Sequence, residues 1–226
     1  MTMTSRLTRV TRLGLVNAYL VAEDDGLTLV DTTMKGSGKK ILAAAEALGA
    51  PIVRIALTHA HGDHIGSVDE LAAALPGVEV LISTRDAPLM TKADMSLRPG
   101  EPQDKLRGGY PGAKTAPTGT FEPGDRIGSL EVIAAPGHTP GHVAFLDTRD
   151  RTLLCGDAFT TVGGVKTSAK ASFPFPLAAA GTWSRATELA SARALRALEP
   201  ARLAPGHGKV VESPLAAMDA AIAQAS

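Results

Sequence analysis

Two kinds of apolar pattern alternate along this chain. Short, nearly continuous runs bounded by Gly, Pro or Asp are the right length for buried strands and too short for helices. Leu15–Val21 and Leu27–Val30 read as paired strands around the turn Asp24-Asp25-Gly26, and Ile52–Leu57 and Val78–Ile82 as two more. Leu130–Ala134, Val143–Asp147, Leu153–Cys155 and the short Arg202–Leu203 continue the pattern in the second half. In the other kind, apolar residues recur every three to four positions. This predicts helices over Gly38–Leu48 (stopped by Gly49 ahead of Pro51), Val68–Leu75, Ser184–Leu198 and Pro214–Ala225. Strands early and a helix late in each half predict two stacked sheets with helices outside.

Two segments show neither pattern. Met90–Pro123 and Ala158–Gly181 are broken by Pro and Gly, and loops of that length usually carry function or are disordered. Both are expected to wall a substrate site, with Tyr110, Phe159, Phe173 and Phe175 as apolar contacts. Arg107, Lys166 and Lys170 would either greet an anionic substrate or be scattered surface charge.

The candidate chemistry lies in the turns. All six histidines fall in three motifs: T-H-A-H-G-D-H (His59, His61, His64), P-G-H-T-P-G-H (His138, His142) and P-G-H-G (His207). Asp63 lies inside the first, and Asp157 in L-L-C-G-D-A-F. Each motif adjoins an apolar run and is bracketed by Gly or Pro, which puts it on a turn at a strand end. Residues two apart in extended chain point to the same side, so His59 and His61 can grip one ion. Asp63 and His64 follow the bend at Gly62 and can face a second. This differs from the helical H-E-x-x-H of zinc proteases, whose histidines share a helix face.

With these motifs the chain resembles the metallo-β-lactamase-fold hydrolases, from about Leu13 to Val210. The resemblance implies a four-layer αββα sandwich, an α+β fold, as one domain over residues 1–226. It implies that His59, His61 and His138 bind a first metal ion and Asp63, His64 and His207 a second. Asp157 matches the carboxylate that bridges them, and Asp31, at the end of L-T-L-V-D-T, an aspartate expected behind the ligands. His142 matches no ligand position and is expected to be a buried, hydrogen-bonding histidine. The expected cofactors are two divalent ions, zinc first, with manganese, iron or cobalt as substitutes.

Two cations sharing an oxygen ligand would lower the pKa of a bridging water to near neutrality, and the hydroxide would attack a carbonyl polarised by one of them. Asp63 is expected to orient that water and to shuttle its proton. The expected substrate is a small molecule with a carbonyl ester, lactone or thioester bond, an acyl-homoserine lactone first. Several alternatives remain open within the resemblance. A β-lactamase is disfavoured because the matching lactamases lack the bridging aspartate. A glyoxalase-II-type enzyme is disfavoured because only 19 residues follow His207, too few for that family's glutathione-binding helical domain. A nuclease or other phosphodiesterase would bring a basic surface or an inserted domain. A mono-iron sulfur dioxygenase would use one metal, and a non-enzymatic metal-binding protein would not need a second site.

Composition narrows the partners. Twenty-three basic and 23 acidic residues cancel, and aromatic residues are only 4%, so neither a global field nor a stacking surface points to nucleic acid. Cys155 is the only cysteine, so no intrachain disulfide forms. Met1–Val10 carries no apolar leader segment, and no stretch approaches the roughly twenty apolar residues of a membrane span. A cytoplasmic enzyme with a small-molecule substrate is the expectation, with oligomeric state left open.

Overall fold

The computed structural model describes residues 6–226, so the first five residues of the Met1–Val10 stretch lie outside it. The first sheet runs β1 (Leu7–Arg12), β2 (Val16–Glu23), β3 (Gly26–Val30), β4 (Ile52–Ala56), β5 (Glu79–Ser83), β6 (Gly119–Phe121), in that spatial order. β1 to β3 form an antiparallel meander, and β3 to β6 are parallel. Parallel neighbours need crossovers, supplied by α1 (Gly38–Leu48) and by α2 (Gly62–Ile65) with α3 (Val68–Ala74). A short α4 (Ala87–Thr91) follows β5.

The second sheet comprises β7 (Arg126–Ile127), β8 (Leu130–Ala134), β9 (Val143–Asp147), β10 (Thr152–Gly156), β13 (Arg202–Pro205) and β14 (Val211–Glu212), side by side in that order. All its pairs are antiparallel except β10 with β13, which α6 (Arg185–Ala197) connects. A hairpin of β11 (Phe159–Thr160) and β12 (Lys166–Thr167), then α5 (Leu177–Gly181), precede α6, and α7 (Leu215–Ala225) ends the chain.

Alternation within strands explains why there are four layers. Ala18, Leu20, Leu27 and Leu29 point outward and pack with Ile41 and Ala45 of α1 and Leu71 of α3. Their neighbours Tyr19, Val21 and Val30 point inward to meet Leu130, Val132, Val143, Phe145 and Leu154 of the other sheet. On the far side, Ala144, Leu146, Leu153 and Cys155 lie under Ala192 and Leu195 of α6 and Met218 of α7. Both faces of these strands are therefore buried, and the sequence reads as near-continuous apolar runs. The result is the αββα sandwich. Among the described residues no helix is long and apolar enough to cross a membrane.

The two sheets are tied at one edge, and that edge holds the candidate site. The Val143 N–H donates to Thr58 O at 3.0 Å and the Asn17 N–H to Gly206 O at 2.8 Å. Asn17 Nδ2 donates to the carbonyls of Pro205 and Gly208, and the Tyr19 hydroxyl to that of Pro205 at 2.7 Å. These contacts pin the first sheet to the turn that carries His207.

Candidate metal centre

Every donor hangs on a turn where a strand ends. Asp31 follows β3, Thr58–His64 follows β4, His138 and His142 lie in the β8–β9 turn, Asp157 follows β10 and His207 follows β13. The backbone bends sharply there: Asp31 has φ 60°, in the left-handed region that Asp tolerates better than most residues. Gly206 is required by proximity. A Cβ at that position would run into Asp157 Oδ1 and the His64 ring.

The structure brings seven of the predicted residues together. His59, His61 and His138 form one group, Asp63, His64 and His207 another, and His59, His64 and Asp157 a third between them, the donor atoms of each lying within 4.8 Å. All are buried except Asp63, whose side chain is 40% exposed. Behind the rings, partners fix which nitrogen faces inward. His64 Nδ1 donates to Asp31 Oδ2 at 2.8 Å, His138 Nδ1 to Thr182 Oγ1 at 3.0 Å and His59 Nδ1 to Thr58 Oγ1 at 3.0 Å. His61 is turned the other way: its Nε2 donates to the Arg107 carbonyl at 2.9 Å, so Nδ1 faces the group. Such partners hold a ligating imidazole in one tautomer and one orientation.

The inward atoms are left without partners. His59 Nε2, His64 Nε2 and Asp157 Oδ1 are buried and accept or donate no hydrogen bond. Isolated buried polar atoms are costly, so a cluster of them calls for a missing group. The spacing fits divalent cations. His61 Nδ1 and His138 Nε2 are 3.0 Å apart, His64 Nε2 and Asp157 Oδ1 3.2 Å, His138 Nε2 and Asp157 Oδ2 3.4 Å. His207 Nε2 is 3.3 Å from Asp63 Oδ2 and 3.2 Å from Asp157 Oδ2. Ligands about 2.0–2.1 Å from one tetrahedral ion lie about 3.3 Å from each other.

Electrostatics divides the cluster. Burial lowers the pKa of His59, His61 and His138, keeping them neutral. For His64 burial acts downward too, but Asp157, Asp31 and Asp63 overcome it and the pKa is raised well above the usual value. His207 is likewise pushed up, to about 9, by Asp157 and Asp63 against burial. Asp157 and Asp63 are depressed despite their burial, by His207 and His64.

His142 stands apart. Its Nδ1 donates to Ala135 O at 2.9 Å, and its Nε2 accepts the Asp157 N–H at 3.0 Å. Both nitrogens are spent, and burial pushes its pKa down to about 4. It props the backbone of Asp157.

Asp86 escaped the sequence reading. It occupies the N-cap position of α4 but caps nothing. Fully buried, it accepts the Ala60 N–H at 3.0 Å, the Gly141 N–H at 2.8 Å and the Thr139 hydroxyl at 2.7 Å. Ala60 lies between His59 and His61, and Thr139 and Gly141 between His138 and His142. One carboxylate thus staples together the two turns of the first histidine group. The signal in S-T-R-D-A-P reads as an ordinary helix start. Thr182, behind His138, left no signal either.

Beside the cluster lies a cavity of about 490 Å³, lined by His61, Asp63, His138, Asp157 and His207 and by apolar side chains. Phe175 is on its wall, its ring 4.8 Å from that of His207. The other expected wall residues are not. Phe159 is buried in the core under α6 and α7 because β11 turns it inward, and Phe173 is 92% exposed. Tyr110 packs edge-on against His61 at 4.7 Å, behind the site. Lys166 and Lys170 are bound to Gln224 of α7, and Arg107 contributes its carbonyl, so none of these charges lines the cavity.

A strand-end cluster of five histidines and two aspartates on an αββα sandwich defines a metal-dependent hydrolase. Residues 11–207 match the family model of the metallo-β-lactamase superfamily, and the chain belongs to that superfamily. It is 46% identical over 93% of its length, and 90% of the relative's, to the uncharacterized protein YobT of Bacillus subtilis. It is 31% identical to a hydroxyacylglutathione hydrolase of Acidiphilium cryptum over 70% of its length, but spans only 54% of that protein. Among solved structures it resembles TTHA1623 in a di-iron-bound form, with 31% identity, TM-score 0.67, and coverage of 92% of this chain and 95% of that one.

Proposed function

We propose that the chain is a binuclear metallo-hydrolase that cleaves a carbonyl ester, lactone or thioester of a small molecule. The observation that carries this reading is the convergence of seven imidazole and carboxylate donors, with His59 Nε2, His64 Nε2 and Asp157 Oδ1 buried and unpartnered at its centre. His59, His61 and His138 would hold one ion, Asp63, His64 and His207 the other, with Asp157 between them. Zinc suits the donor set, and the two irons of TTHA1623 put iron beside it. Bound divalent ions would supply a water ionised near neutral pH and an electrophile for the carbonyl oxygen.

The chain's own residues do the rest. Asp63, the one half-open donor, faces the cavity and is placed to orient the attacking water and to take its proton. Asp157 is held by the His142 prop, so its carboxylate stays between the two groups.

Elemental analysis of purified protein tests the centre: about two ions per chain is expected, and full activity at one ion overturns it. A side-by-side assay of lactones, aryl esters, thioesters, β-lactams and phosphodiesters tests the reaction. A clear preference for phosphodiesters or β-lactams rejects it.

A further inference from the structure

Two cavities meet at Asp63, and they differ in chemistry. The 490 Å³ cavity has Leu13, Leu15, Phe175 and Leu177 on its wall and no charged side chain beyond the candidate metal donors. The other, about 640 Å³, shares Met34, Asp63 and Gly109 with it and continues to Lys35, Asp69, Glu70 and Lys114. A molecule held at the donor cluster therefore has one apolar and one polar direction in which to extend.

The apolar side concentrates exposed side chains of a kind that elsewhere in the molecule are mostly buried. Among the described residues six large apolar side chains are exposed, and four of them, Leu13, Leu15, Met34 and Leu177, line this one cavity. Leu13 is 75% and Leu177 66% exposed, on different parts of the chain: the β1–β2 turn and the start of α5. Exposed apolar side chains that converge on one concave place mark a binding surface. Because the patch runs down to His61, His138 and His207, its occupant is the molecule on which the site acts.

We propose that the site takes a substrate whose acyl arm is uncharged and apolar, laid along Leu13, Leu15, Phe175 and Leu177. Its polar leaving group is directed past Asp63 toward Lys35 and Lys114. Leu13, Leu15 and Leu177 are specificity-determining residues by this assignment. The inference rests on the hydrolase reading and adds an orientation to it. A charged or strongly hydrated acyl group would be desolvated against leucine with nothing to pair it.

The test uses the metal-loaded full chain and p-nitrophenyl esters of straight-chain acids from acetate upward. Each added acyl methylene is expected to raise kcat/KM about three- to fourfold until the cavity is filled. Lengthening the alcohol arm of alkyl acetates instead is expected to give no such gain. In L13S/L177S the acyl slope should flatten. Calorimetric titration with n-alkyl carboxamides, which do not react, should show the same chain-length dependence and the same flattening. A flat acyl slope in the parent, an unchanged slope in the variant, or a gain from the alcohol arm overturns the assignment. So does a dimer that L13S/L177S dissociates while carboxamide binding is unaffected, because the leucines would then be an interface. Carboxamide binding with the expected slope but no turnover of any ester, lactone or thioester would overturn the hydrolase reading and leave the apolar subsite standing.

Discussion

The two halves of the donor cluster are built on opposite principles. His59, His61 and His138 are wholly buried, kept neutral by that burial, and braced from behind by Thr58, the Arg107 carbonyl, Thr182 and the Asp86 staple. Asp63, His64 and His207 form a charged group: Asp63, with Asp157 and Asp31 beside it, favours the protonated form of both histidines, Asp63 is half-open, and His207 Nδ1 has no partner among the described residues. A neutral, braced group is preformed for a cation. A charged, half-open group must exchange protons for one, and it faces the cavity. The difference suggests a division of labour, in which the first half anchors and the second half reacts.

Asp157 is the one residue that belongs to both, so it should show the largest effect. Asp157→Ala is expected to lower hydrolysis by three orders of magnitude or more and to cost metal at both positions. His142→Ala removes the acceptor of the Asp157 N–H and the donor to Ala135 O but no candidate ligand, and should retain both ions with a loss of about tenfold or less. Metal analysis beside kinetics checks both. If His142→Ala empties a position that His138→Ala leaves full, the assignment of the two histidines in that turn is reversed.

Asp86 tests whether the first group really depends on bracing. Asp86→Ala strands the Ala60 and Gly141 N–H groups and the Thr139 hydroxyl in a buried place. Metal affinity at the first position is expected to fall about 10- to 100-fold, with a lowered Tm. Asp86→Asn keeps the shape and half the acceptors, so it should fall between. A parent-like affinity in Asp86→Ala would mean that the histidine turns hold themselves.

Proton release sharpens the electrostatic half of the comparison. Neutral His59, His61 and His138 have no proton to give up at pH 7, whereas His64 and His207 must each lose one to become ligands. In a calorimetric titration of metal-free protein with zinc, the first equivalent should release almost no protons and the second about two. Affinity for the second should weaken about tenfold per pH unit for each proton below about 9, where His207 titrates. Equal release at both equivalents would erase the distinction. The sign for the metal-free fold follows from the same shift. A histidine raised from 6.5 to about 9 contributes stability fully present below pH 6.5 and lost as pH rises through about 9.

Much of this architecture was legible in the sequence, and the gaps have physical causes. Gly38–Leu48, Leu130–Ala134 and Val143–Asp147 are helix or strands at the predicted bounds, because burial on one helix face or both sheet faces forces a clear apolar pattern. β1 was missed because Leu7–Arg12 is an edge strand with alternating polar residues, and β6, β7 and β14 are two- or three-residue edges. In the site, the candidate ligands were visible because chemistry restricts them to His and Asp on Gly- and Pro-marked turns. Asp86, Thr182 and the Arg107 carbonyl were not, since ordinary residues reach the cluster only through tertiary contact. Leu13 and Leu177 were invisible for the same reason: nothing local separates an exposed leucine at a cavity from one in a core.

The smallest effect is expected behind the first group, at Glu188 of α6. Its carboxyl is completely buried, and among the described residues neither oxygen has a hydrogen bond and no cation pairs with it. Burial pushes its pKa up from 4.5 to about 8, against weaker downward pulls from nearby Ser168 and the His138 backbone. An acid raised in the fold binds a proton that the unfolded chain has released, so stability falls as pH rises from 4.5 through about 8. Glu188→Gln removes the ionisable group and keeps the shape. Parent and variant should melt together near pH 4.5 and separate as pH rises, the variant gaining on the order of 10 °C by pH 8. Thermal melts of the metal-loaded protein across that range decide it. A constant gap at every pH would mean that Glu188 is neutralised by a partner and that the bracing of His138 extends further into α6 than its hydrogen bonds indicate.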